Sequence, residues 1–164
     1  MDTGTNKRVF RGVIMSSRSR GHTLIELVTV CALMAILAGI TVPAVIVSQA
    51  RASTGAACEH LAVALRAAQA RARAGGDAVR VSVDADGHGF RVETVGAHGV
   101  RFVDSGDFGS ATCNSNFPGN AVEFAGLGWP RAIGAGVRAG TFKLTALNST
   151  HAVVLQMGGV IRCQ

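Results

Sequence analysis

The chain has no tyrosine, one tryptophan and seven phenylalanines, so aromatic residues make up only 5% of its 164 positions. A core with so little aromatic surface must be filled by Val, Leu and Ala, which each bury less area. About 115 residues follow the long apolar run near the N-terminus, enough for one small domain. No Cys-x-x-Cys pair occurs among Cys31, Cys58, Cys113 and Cys163, which argues against zinc-ribbon and thioredoxin-type chemistry. Nucleophile-elbow, phosphate-loop and dinucleotide fingerprints are missing, and Gly126-Leu127-Gly128 lacks the strand-to-helix setting such a loop needs. His22, His60, His88, His98 and His151 share no metal-ligand spacing, and Cys58 and His60 fall on different faces of a helix. We therefore expect no catalytic site, no metal and no cofactor. The most consequential absence is charge, of which there is none from Leu27 through Ala50.

An uncharged run of that length spans roughly 30 Å as a helix, the thickness of a bilayer's hydrocarbon core. Before Gly21, five basic residues (Lys7, Arg8, Arg11, Arg18 and Arg20) against Asp2 supply +4 of the net charge of +6. Positive flanks stay cytoplasmic, so the chain after Val47 is expected outside the inner membrane. The remaining +2 is a weak footprint for nucleic acid. Residues 1–20 have no apolar periodicity and read as a leader, with Met15 a second candidate start. An ordinary secretory signal ending near Ala50-Arg51-Ala52 is the competing reading, but the run is longer than a normal signal core. Glu26 stands at the edge of the run, where a carboxylate is costly to bury without a partner.

Leu61, Ala64, Leu65, Ala68 and Ala72 recur at spacings of three and four, which predicts an alanine-rich amphipathic helix that Gly75-Gly76 stops. Pro43 and Gly55 are the expected bends in one helix from about Leu24 to Ala74. From Ala78 the period changes to two: Val79, Val81 and Val83 lead through the turn Asp84–Gly87 into a strand at Phe90–Val95. Further strands are expected at 100–103, 121–124, 141–146 and 152–157. Residues 104–120 read as a loop holding Cys113, residues 126–130 as a turn carrying Trp129, and Val160–Cys163 as a short tail. An oxidising compartment permits a disulfide, and the expected pair is Cys113 with Cys163, leaving Cys58 a free thiol on the helix.

The segment Gly21-His22-Thr23-Leu24-Ile25-Glu26 resembles the signal of type IV pilins and type II secretion pseudopilins, whose motif is Gly-Phe-Thr-Leu-Ile-Glu; His22 departs from the phenylalanine. The later order, Val122-Glu123-Phe124, then Gly140-Thr141-Phe142, then Gly158-Gly159-Val160-Ile161-Arg162, is similar to the GspH/FimT family of minor pilins and pseudopilins. The resemblance implies an α+β, pilin-like fold, with a long N-terminal helix whose first half is transmembrane, packed on an antiparallel β-sheet domain. It implies a leader over residues 1–21, an assembly helix over 22–50 and a periplasmic domain over 51–164. It further implies cleavage after Gly21 by prepilin peptidase, methylation at His22, pairing of Glu26 with a neighbour's N-terminus, and a kink at Pro43. Implied partners are other minor pilins or pseudopilins, the major subunit and the inner membrane before assembly, with subunit contacts through residues 104–120 and the sheet edges. Some pilins of this family bind DNA through a C-terminal Gly-Arg-x-Arg pattern. Here Arg162 is kept and Val160 replaces the first arginine, so DNA is the alternative partner, with Arg131, Arg138 and Lys143 as supplementary contacts. A single-span anchored periplasmic binding domain is the remaining alternative.

Overall fold

The computed structural model describes residues 23–164. The leader, Gly21 and His22 lie outside the described residues. The chain forms two compact units, one up to Gly39 and one from Ile40 to Gln164. A single helix, α1 (Leu24–Gly75), contributes to both and contains Pro43. Within the first unit Leu24, Ile25, Leu27, Leu33 and Met34 are all exposed. The Thr29 hydroxyl donates to the Ile25 carbonyl at 2.6 Å, which leaves no hydroxyl proton for lipid to accommodate.

In the second unit α1 buries the expected stripe, with Leu61, Leu65 and Ala72 fully enclosed and Ala62 and Ala68 beside them. Gly75 ends the helix and Gly76 follows at φ 72°, a left-handed value that glycine adopts freely.

Nine strands follow: β1 (Ala78–Val83), β2 (Gly89–Gly96), β3 (Gly99–Asp107), β4 (Thr112–Ser115), β5 (Ala121–Ala125), β6 (Trp129–Arg131), β7 (Gly140–Ala146), β8 (Ser149–Leu155) and β9 (Ile161–Cys163). They form two antiparallel sheets rather than one, ordered β3-β2-β1-β5-β6 and β4-β7-β8-β9. Val79, Val81, Val92, Val122 and Phe124 of the first sheet join Phe142, Leu144, Val153 and Leu155 of the second in one core under α1.

Four expectations need correction. Residues 104–120 are not a loop: β3 runs to Asp107, β4 occupies 112–115, and Phe108, Ala111, Cys113 and Phe117 are buried. Their apolar side chains outweigh the turn-forming Gly, Ser and Asn around them. Trp129 begins β6 rather than lying in a turn, and the tail residues 161–163 pair with β8. The disulfide joins Cys58 to Cys163, with Cα atoms 6.0 Å apart, so Cys113 rather than Cys58 is a free thiol, as is Cys31. Cys113 lies on β4 and Cys163 on β9, the opposite edges of a four-stranded sheet. Three strand spacings separate them by roughly 14 Å, beyond the ~7 Å Cα reach of a disulfide.

Candidate functional site

The start of α1 is a capping arrangement. Thr23 precedes the first helical residue, and its hydroxyl accepts from the Glu26 backbone N–H at 3.4 Å. The Leu27 N–H donates to the Thr23 carbonyl at 3.2 Å, the first turn of the ladder. Thr23-x-x-Glu26 thus has the Ser/Thr-x-x-Glu capping signature, a signal legible in the sequence. It also sets Glu26 in the first turn, where the helix dipole favours a carboxylate. The segment after it is long and apolar enough to cross a membrane.

In the second unit, one face of α1 is tied to the edges of both sheets. Cys58 bonds to Cys163 on β9, and Arg66 donates from Nη2 to the Ile161 carbonyl at 3.1 Å. One turn further, the buried Gln69 amide donates to the carbonyls of Gly128 and Gly159 at 2.7 and 2.8 Å. Arg73 then donates to the Leu127 carbonyl at 3.2 Å. Gln69 holds the β5–β6 turn of one sheet and the β8–β9 turn of the other with a single amide. Both turn glycines have positive φ, and a Cβ on Gly159 would collide with the Gln69 amide nitrogen. Sequence reasoning missed Gln69, because the lone polar residue in its helical stripe carries no local mark of what it will face.

The four basic residues considered for DNA are not gathered. Arg131 donates through Nε to Glu123 at 3.0 Å and pairs with it again through Nη2. Glu123 is only 6% exposed and also receives Arg80 at 3.2 Å. Burial pushes the Glu123 carboxyl up, but hydrogen bonds and charge from Arg131 and Arg80 outweigh it and hold its pKa below the usual carboxylate value. Register puts Glu93, Arg80, Glu123 and Arg131 in one row across four strands, so opposite charges alternate along it. Lys143 and Arg162 lie exposed in the other sheet, on strands separated by β8. Arg138 is exposed after the short bridge between Arg131 and Val137.

A family model described as the prokaryotic N-terminal methylation motif matches residues 16–42. Comparison with curated proteins gives no significant match. Among solved structures, the minor pseudopilin EpsH from the type II secretion system of Vibrio cholerae superposes with a TM-score of 0.57 at 10% identity, covering 70% of this chain and 97% of that one. The type IV minor pilin FimU of Pseudomonas aeruginosa gives a TM-score of 0.55 at 18% identity, covering 66% and 86%. The chain is pilin-like in motif and in fold. The resemblance to GspH/FimT-type minor pilins drawn from the sequence is supported by both findings. In this pilin-like chain the methylation motif spans the capped start and apolar first part of α1, while the likeness in fold carries no residue-level role at such low identity.

Proposed function

We propose that the chain is a minor pilin or pseudopilin, a structural subunit near the tip of a type IV pilus or type II secretion pseudopilus. The observation that carries this reading is a methylation motif joined to an exposed apolar helix that continues into a pilin-like domain. In this reading prepilin peptidase removes residues 1–21 and methylates His22, and the precursor waits in the inner membrane with residues 51–164 in the periplasm. Residues 22–50 then pass from lipid into the helical core of the filament, bending at Pro43. Other minor subunits and the major subunit are the partners. Glu26 would meet the N-terminal amine of a neighbour, which is partly protonated at neutral pH because its reference pKa is near 8. A carboxylate among apolar helices is then tolerated only in the register that pairs it.

Glu26→Gln keeps the length and polarity of the side chain but loses its charge, whereas Glu26→Ala loses both; the cap bond through the Glu26 backbone N–H is open to either variant. We expect both variants to be cleaved and inserted, and both to lose co-purification with other filament subunits. Recovery of assembly in Glu26→Gln would refute charge pairing, and intact assembly in Glu26→Ala would refute the assembly reading.

A further inference from the structure

The strand β3 is the outer edge of its sheet and carries opposite charge at its two ends. At one end, beside the last turn of α1, a groove of about 750 Å³ is lined by Arg71, Arg101 and His98, with Asp77 as its one carboxylate. Its two guanidiniums outnumber its one carboxylate. At the other end, around the β1–β2 turn, a second groove of about 640 Å³ is lined by Asp84, Asp86 and Asp107 against Arg91, and Phe102 forms part of its wall. Arg91 lies 4.0 Å from Asp84, so two carboxylates remain in excess. Arg101 and Asp107 stand six residues apart on the same strand, roughly 20 Å. That exceeds twice the ~8 Å screening length at physiological salt, so the two ends do not neutralise each other.

The acidic groove has the chemistry of a guanidinium site. It offers exposed carboxylates together with Phe102, which is 58% exposed, and a guanidinium stacks on an aromatic face while pairing with a carboxylate. The basic groove at the other end supplies two guanidiniums, with Val100, also 58% exposed, beside them. Both halves of a complementary pair therefore sit on one chain, facing opposite ways along β3.

We propose that these two grooves are the halves of a head-to-tail contact, in which Arg71 and Arg101 of one copy enter the Asp84–Asp86–Asp107 groove of a second copy. Such a contact is heterologous: each copy keeps one free half, so pairing continues along a line instead of closing as a dimer. It deepens the filament reading and takes its biological setting from it, but the contact itself needs no other subunit. Because the pairs are exposed, it is weak and sensitive to salt, as suits units already aligned by their helices.

The test uses the purified full chain in a non-ionic detergent, followed by sedimentation. Helix contacts through the uncharged run should not respond to salt, whereas the proposed contact should weaken roughly tenfold between low and physiological salt. Arg71→Glu/Arg101→Glu makes both ends acidic, and Asp86→Lys/Asp107→Lys makes the acidic groove basic. Each variant alone should lose the salt-sensitive association, and an equimolar mixture should regain it, which also shows that both are folded. Absence of salt-sensitive association in the wild type overturns the proposal, as does its survival in either variant or its failure to return in the mixture. Glu26→Gln should leave this association intact, so the outcome is independent of the N-terminal pairing.

Discussion

Removing the Cys58–Cys163 bond should destabilise the domain more than any single side-chain contact in it. The bond closes a loop of 105 residues. Loop-closure entropy for about 105 residues comes to about 16 cal/mol/K, or about 4.7 kcal/mol at 25 °C. A domain of this size has roughly 5–15 kcal/mol of stability in all, so the loss is between a third and nearly the whole. The bond also fixes β9, a strand of three residues on a sheet edge. Without it β9 is kept by its ladder to β8 and by Arg66. The Cys58→Ala/Cys163→Ala variant of the full chain should be unfolded with urea in detergent alongside the oxidised wild type, with Cys113→Ala as control. We expect a loss of at least about 2 kcal/mol, approaching about 4.7, and a steeper urea dependence because the unbridged unfolded chain exposes more surface. A loss below about 1 kcal/mol, or an equal loss in the Cys113→Ala control, would refute the reasoning.

Gln69→Leu should cost about 2–4 kcal/mol, because two turn carbonyls, one buried and one half-buried, lose their donor; a loss under about 1 kcal/mol in the same urea assay would remove Gln69 from its proposed place. Burial pushes the Cys113 thiol up to about 12, above its ordinary value near 9. The folded state therefore holds the proton more tightly, and stability falls by about 1.4 kcal/mol per pH unit between about pH 9 and 12. Cys113→Ala should flatten that alkaline slope, measured as the urea midpoint against pH. Glu123 has the opposite sign: its depressed pKa contributes stability that is full above about pH 4.5 and lost as pH falls through the folded value. Glu123→Gln should reduce the acid sensitivity of the midpoint and cost about 1.5–3 kcal/mol at neutral pH, by weakening its hydrogen bonds to Arg80 and Arg131.

What was legible in the sequence was what local pattern determines. The apolar run, the three-and-four spacing from Leu61 to Ala72, the stop at Gly75-Gly76 and the alternation Val79-Val81-Val83 before Asp84–Gly87 each specify structure over a few residues, and each stands where expected. What was not legible depends on strand order. Nothing local says that β4 and β9 lie at opposite edges of one sheet, yet that ordering separates Cys113 from Cys163 and frees Cys163 for the helix. The same holds for Arg131, a supplementary DNA contact by sequence, which strand pairing brings beside the buried Glu123. Residues 104–120 misled for a different reason. Their glycines and asparagines are turn formers, but Phe108, Ala111, Cys113 and Phe117 between them point into the core.

The double grip of Gln69 has a consequence for how the domain opens. Two sheets with separate ladders could fray independently, each edge exchanging its amide protons at its own rate. Because one side chain holds a turn from each, lifting β9 releases the β5–β6 turn as well, and loosening β6 deprives the β8–β9 turn of its donor. Amides at the ends of the two hairpins should then exchange with a common opening free energy, so that the smallest part of the domain able to open is a pair of hairpins drawn from different sheets.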